Sequence, residues 1–124
     1  RDSIARQYEN GFADVFATGL ASVASLPDAA PEIVTLDVFL TFLSTWPDSH
    51  IVRKQGVTVA QSVTREARQR HAQWRIAPHV AQAARLDAWD AELKEQGVNP
   101  GTSADLTVAT LFAAICLAPQ RFTR

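Results

Sequence analysis

Two short stretches of the 124-residue sequence concentrate residue types able to do chemistry. The first, Asp48-Ser49-His50-Ile51-Val52-Arg53-Lys54-Gln55-Gly56, puts an acid, an imidazole and two cations close together and ends on a glycine that permits near backbone approach. Asp48 is suited to hold Mg²⁺ or to take a proton, and Arg53 and Lys54 to neutralise phosphate. Arg53 is the better phosphate ligand, because its planar fork donates two parallel hydrogen bonds. The bland alternative is that Asp48 caps a short helix and the cations are solvated. The second stretch, Asn99-Pro100-Gly101-Thr102-Ser103-Ala104-Asp105-Leu106, is a glycine-bearing loop feeding a helix. Its free N–H groups and positive dipole end suit an anion, and Thr102 and Ser103 add hydroxyl donors. Thr102 followed three residues later by Asp105 is equally an ordinary helix start.

The elements that must position these loops read as helices throughout. Ile4, Tyr8, Phe12, Val15, Phe16, Leu20 and Val23 recur at three- and four-residue steps, which predicts a first helix from about Ser3 to Ser25. Pro27 and Pro31 break the chain, and Asp28 is placed to cap the next helix. This second helix, Glu32 to Thr45, is apolar around most of its circumference and should be buried on several sides. Trp46-Pro47 ends it. Thr58 with Gln61 forms a capping-box pattern for a third helix reaching Ile76. Pro78 interrupts, a fourth helix covers roughly His79 to Gln96, and Gly97 supplies a left-handed residue after it. The last helix opens at Thr102 and runs to Leu117. No stretch alternates like a strand, so the fold class is all-α, a helical bundle of about five helices.

Composition narrows the setting. The chain is 47% apolar, carries a net charge of −1, and contains no Met and one Cys. It is one domain at most and is not disordered. With Met absent, the expectation is a piece of a longer polypeptide. Cys116, alone in an apolar helical run, excludes an internal disulfide framework and a cysteine zinc site; its expected role is core filling in a reducing, cytoplasmic compartment. Leu106 to Pro119 is too short and too polar to span a bilayer. The near-zero charge conceals a segregation: residues 50–86 hold Arg53, Lys54, Arg65, Arg68, Arg70, Arg75 and Arg85 against only Glu66, while both flanks are acidic. Arg65, Arg68 and Arg75 fall close to one helical stripe, which reads either as a solvated helix face or as a site for a polyanion, a small phosphorylated ligand fitting the limited patch best. Nucleic acid is disfavoured, because the isoelectric point is about 6.3 and no aromatics interleave with the basic residues.

The pairing of the Asp48–Gly56 loop with the Asn99–Leu106 loop and an Ala-rich apolar helix resembles the triphosphoribosyl-dephospho-CoA synthase family. The second loop is the more specific signal, and Tyr8, Gly11, Phe12 and Val15 also look like the family's preceding segment. His50 stands where many members carry Asn, and Lys54-Gln55-Gly56 where they carry a Gly pair. The resemblance covers most of residues 1–124 and matches the carboxy-terminal part of a single all-helical domain, whose missing amino-terminal half would be a partner of the second and last helices. It implies a transferase that moves the triphosphoribosyl group of ATP to the ribose hydroxyl of 3′-dephospho-CoA and releases adenine, with Mg²⁺ as cofactor. Carried onto this sequence, it implies Arg53, Lys54, His50, Asn99, Gly101, Thr102 and Ser103 at phosphates, and Asp48 and Asp105 at Mg²⁺ or the sugar. The runner-up acceptor is a methanopterin-type one-carbon cofactor precursor. A different class, a non-catalytic helical interaction module, would use Trp46, Trp74 and Trp89 as contacts, although those residues read first as core. Self-association is left open.

Overall fold

The computed structural model describes residues 13–76 and 80–121, and all its regular elements are helical. They are α1 (Ala13–Ala24), α2 (Pro31–Thr45), α3 (Ser49–Gln55), α4 (Val57–Ile76), α5 (Val80–Glu95) and α6 (Gly101–Leu117), followed by a 3₁₀ turn, Pro119–Arg121. The expected all-α bundle is therefore observed, with the Asp48–Gly56 stretch forming a helix of its own. The amino-terminal part of the expected first helix and Pro78 lie outside the described residues.

The central element is α2, and its all-round apolar sequence has a direct cause: it separates two cores. Leu40 and Leu43 join Ile51, Ala60, Val63, Ala67, Trp74, Leu86, Trp89, Leu93 and Val98 in one cluster. Val34, Val38 and Phe42 join Val15, Val23, Leu106 and Ala114 in the other. Within the described residues α1, α4 and α6 all pack against α2.

The helix ends follow local chemistry. Pro31 occupies the first position of α2, where its missing N–H costs nothing; Ala30 is the cap residue and makes no side-chain bond, so Asp28 does not cap this helix. Gly56 serves two helices at once: its N–H donates to the Val52 carbonyl at 3.0 Å and its own carbonyl accepts Ala60 N–H at 3.2 Å. Its φ of 96° is open to glycine alone without strain. Starting α4 at Val57 places Thr58 inside the helix and removes the expected Thr58–Gln61 capping box. Gly97, at φ 75°, closes α5 in a Schellman arrangement, with Val98 N–H reaching the Leu93 carbonyl at 2.8 Å and both side chains buried.

The α1–α6 crossing is close because Gly19 has no side chain. A Cβ there would lie 2.6 Å from Thr110 Cγ2 and 3.0 Å from Phe42 Cζ, inside van der Waals contact. Cys116 is exposed rather than core-filling, because its side of α6 faces away from α1 and α2. Val108, Phe112, Ile115 and Leu117 of the same helix are also exposed. No helix among the described residues is long and apolar enough to cross a membrane.

Candidate functional site

The two chemistry-bearing stretches meet. Pro47 holds the chain extended after Trp46, and Asp48 then caps α3, its Oδ1 accepting the backbone N–H of His50 at 2.9 Å and of Ile51 at 3.1 Å. Its other oxygen accepts the N–H of Ser103 in the first turn of α6 at 2.7 Å. One carboxylate thus satisfies orphan donors at two helix starts and faces the positive end of both dipoles. Hydroxyls complete the junction: Ser49 Oγ and Thr102 Oγ1 are 2.6 Å apart, and Thr102 Oγ1 also accepts His50 N–H at 3.2 Å.

The residues of the two stretches divide by burial. Asp48, Ser49, Thr102 and Ser103 are buried and bonded to one another. The more accessible rim of the two stretches comprises the half-buried His50 and Gly101 and the exposed Asn99 and Asp105. A Cβ on Gly101 would come within 3.4 Å of His50 Cγ, so this glycine sets how closely the imidazole packs on the α6 start. Arg53 and Lys54 are exposed on the last turn of α3, at the opposite end of that helix from Asp48. Gln55 reaches across to the Gly97 carbonyl at 3.0 Å and ties α3 to the end of α5.

The basic stripe of α4 is partly structural. Arg68 Nε donates to the Ser44 carbonyl at 3.0 Å. Arg70 pairs with Glu66 and lies 4.7 Å over the Trp89 ring. Arg75 donates to Asp37 Oδ2 at 2.9 Å.

Asp37 is the residue that sequence reasoning missed. It is fully buried in the middle of α2 and receives Ser22 Oγ, His71 Nε2 at 3.0 Å and Trp74 Nε1 at 3.1 Å besides Arg75. Burial by itself would raise its pKa. The hydrogen bonds of His71 and Ser22 and the positive charge of Arg75 outweigh that effect and hold the carboxyl below its ordinary 3.8. The available signal was an acid inside an otherwise apolar helix, since such a charge requires partners when buried.

Mg²⁺ would need open oxygen ligands. Asp48 is 2% exposed with both oxygens taken by backbone N–H groups, and among the described residues no three His, Cys, Asp or Glu side chains converge. This donor set does not fit a metal held by Asp48 and Asp105 together.

The model of one protein family, described as ATP:dephospho-CoA triphosphoribosyl transferase, matches residues 1–123. No curated protein and no solved structure matches the chain.

Proposed function

The chain belongs to the ATP:dephospho-CoA triphosphoribosyl transferase family, and from that premise we propose that it transfers the triphosphoribosyl group of ATP to the ribose hydroxyl of 3′-dephospho-CoA. In that reaction the acceptor oxygen bonds to the anomeric carbon of ATP and the carbon–nitrogen bond to adenine breaks. The acceptor hydroxyl loses a proton and the departing adenine gains one. The observation that supports this reading is the clasp between the two motif loops, because the bond from Ser103 N–H to Asp48 brings two stretches from distant parts of the chain together at their helix starts.

In this reading the buried layer positions and the rim reacts. Asp48, Ser49, Thr102 and Ser103 fix the two helix starts, and Gly101 leaves room for the His50 ring. His50, Asn99, Arg53 and Lys54 offer donors and positive charge to the triphosphate. Asp105, exposed just beyond the first turn of α6, presents an anionic group suited to the cationic, oxocarbenium-like sugar. Mg²⁺, if it accompanies the nucleotide, would meet phosphate oxygens and water first, and no step of the transfer is routed through it. Release of free adenine from ATP in the presence of dephospho-CoA tests the proposal.

A second reading draws on the exposed apolar side chains Val108, Phe112 and Ile115, spaced along one side of α6. They suit a helix-packing contact of a non-catalytic module. A protein that binds neither ATP nor dephospho-CoA at millimolar concentration would favour this second reading.

A further inference from the structure

A cleft of about 310 Å³ opens between α2, α5 and α6. Its interior is apolar, built on Leu36, Phe39, Leu40, Leu86 and Leu93, with Trp89 as one wall. Its polar groups are Thr35, Thr107, Asp87 and Asp90. Asp90 is paired with Lys94 at 2.8 Å, and Thr107 Oγ1 donates to the Ser103 carbonyl, which leaves the exposed carboxylate of Asp87 as an acceptor for an incoming group.

The cleft and the candidate site share the start of α6. Ala104, which lines it, lies between Ser103 of the buried clasp and Asp105 of the rim. Phosphate is repelled by two carboxylates, whereas a flat heterocycle with apolar faces and a donor on its edge matches both the walls and the charge. The volume is at the low end for small-molecule sites and suits a bicyclic ring rather than a whole nucleotide.

Resting on the proposed transfer reaction, we propose that this cleft holds the adenine ring of ATP and that Asp87 accepts a hydrogen bond from its exocyclic amine. The cations of the α3 end then take the triphosphate outside the acidic cleft, and the ribose lies between them beside Asp105. Asp87 is a specificity-determining residue in this arrangement, since a base lacking the amine leaves the carboxylate without its donor.

Equilibrium titration of the protein with adenosine and with purine riboside, which lacks only the amine, tests the assignment. Adenosine should bind at least about tenfold more tightly, as expected for a hydrogen bond to a charged group. That gap should vanish in Asp87→Ala, and Ala104→Phe, which fills the cleft from an exposed helix position, should abolish adenosine binding with the helical circular dichroism unchanged. ATP should displace adenosine. Equal binding of the two nucleosides, a gap that survives Asp87→Ala, or adenosine binding that survives Ala104→Phe would overturn the inference. Displacement by dephospho-CoA but not by ATP would also overturn it, by assigning the cleft to the acceptor. If ATP binds but adenosine does not, the cleft assignment fails alone; if neither ATP nor dephospho-CoA binds, the transfer reading fails with it.

Discussion

Asp48 Oδ2 accepts the backbone N–H of Ser103 at 2.7 Å, so one buried carboxylate joins the starts of α3 and α6 across 55 positions of sequence. Its other oxygen serves His50 and Ile51. Motifs that read as separate loops are therefore two halves of one junction.

Asp48→Asn separates the two duties. An amide keeps one oxygen for capping α3 but turns its NH₂ toward the Ser103 N–H, setting donor against donor. Chemical denaturation should show a loss of about 2 kcal/mol, and transfer activity should fall even at temperatures where the variant is fully folded. Wild-type activity in a folded Asp48→Asn protein would mean that the clasp does not organise the rim.

Asp37 gives the acid limb of stability a defined sign. Its folded pKa lies below the ordinary 3.8, so its contribution is fully present above that value and is lost as pH falls through the folded pKa. Replacing it with Asn removes the charge facing Arg75 and should cost about 2–3 kcal/mol near neutral pH. Stability measured against pH should fall less steeply below pH 3.8 in the variant than in the wild type. Parallel acid limbs would contradict this role.

The α1–α6 crossing makes opposite predictions for two neighbouring substitutions. Gly19→Ala drives a methyl into Thr110 and Phe42 and should destabilise by about 1–3 kcal/mol. Thr110 Oγ1 is buried without a hydrogen-bond partner among the described residues, so Thr110→Val replaces an unsatisfied hydroxyl with a methyl of similar shape and should stabilise by about 1 kcal/mol. Thermal unfolding of both variants checks the pair.

Rim residues should affect catalysis without affecting the fold. Asp105 is exposed, so Asp105→Asn should leave the unfolding midpoint within the range of ordinary surface changes, about 0.5 kcal/mol. Its kcat should drop by about a hundredfold or more if the carboxylate faces the charged sugar. An Asp105→Asn protein with unchanged kcat would remove Asp105 from the reacting group.

Much of this architecture was legible in the sequence because helices announce themselves by period and punctuation. The Trp46-Pro47 break, the left-handed Gly97 and the all-round apolar second helix are each consequences of one or two residues. Thr58 and Asp28 misled because a capping pattern is short: Gly56 starts α4 two residues earlier, and Pro31 fixes the start of α2 without help. The long-range relationships were not legible. Nothing in Asp48 or Ser103 alone states that they touch, and Asp37 was counted among acids of the flank although it gathers Ser22, His71, Trp74 and Arg75. Likewise the basic stripe of α4 read as one face toward a ligand, whereas Arg75 and Arg68 are engaged by α2. Local pattern specifies elements, while tertiary packing decides which charges face solvent.

The most direct test of the transferase reading is the fate of adenine. ATP and 3′-dephospho-CoA are incubated with the protein, and free bases and nucleotides are separated by chromatography. Free adenine should appear in equal amount to a new acceptor product carrying the triphosphoribosyl group, with the rate reduced in folded Asp105→Asn. Appearance of ADP or AMP without adenine would contradict the transfer, because the bond broken would then be at phosphorus rather than at the sugar.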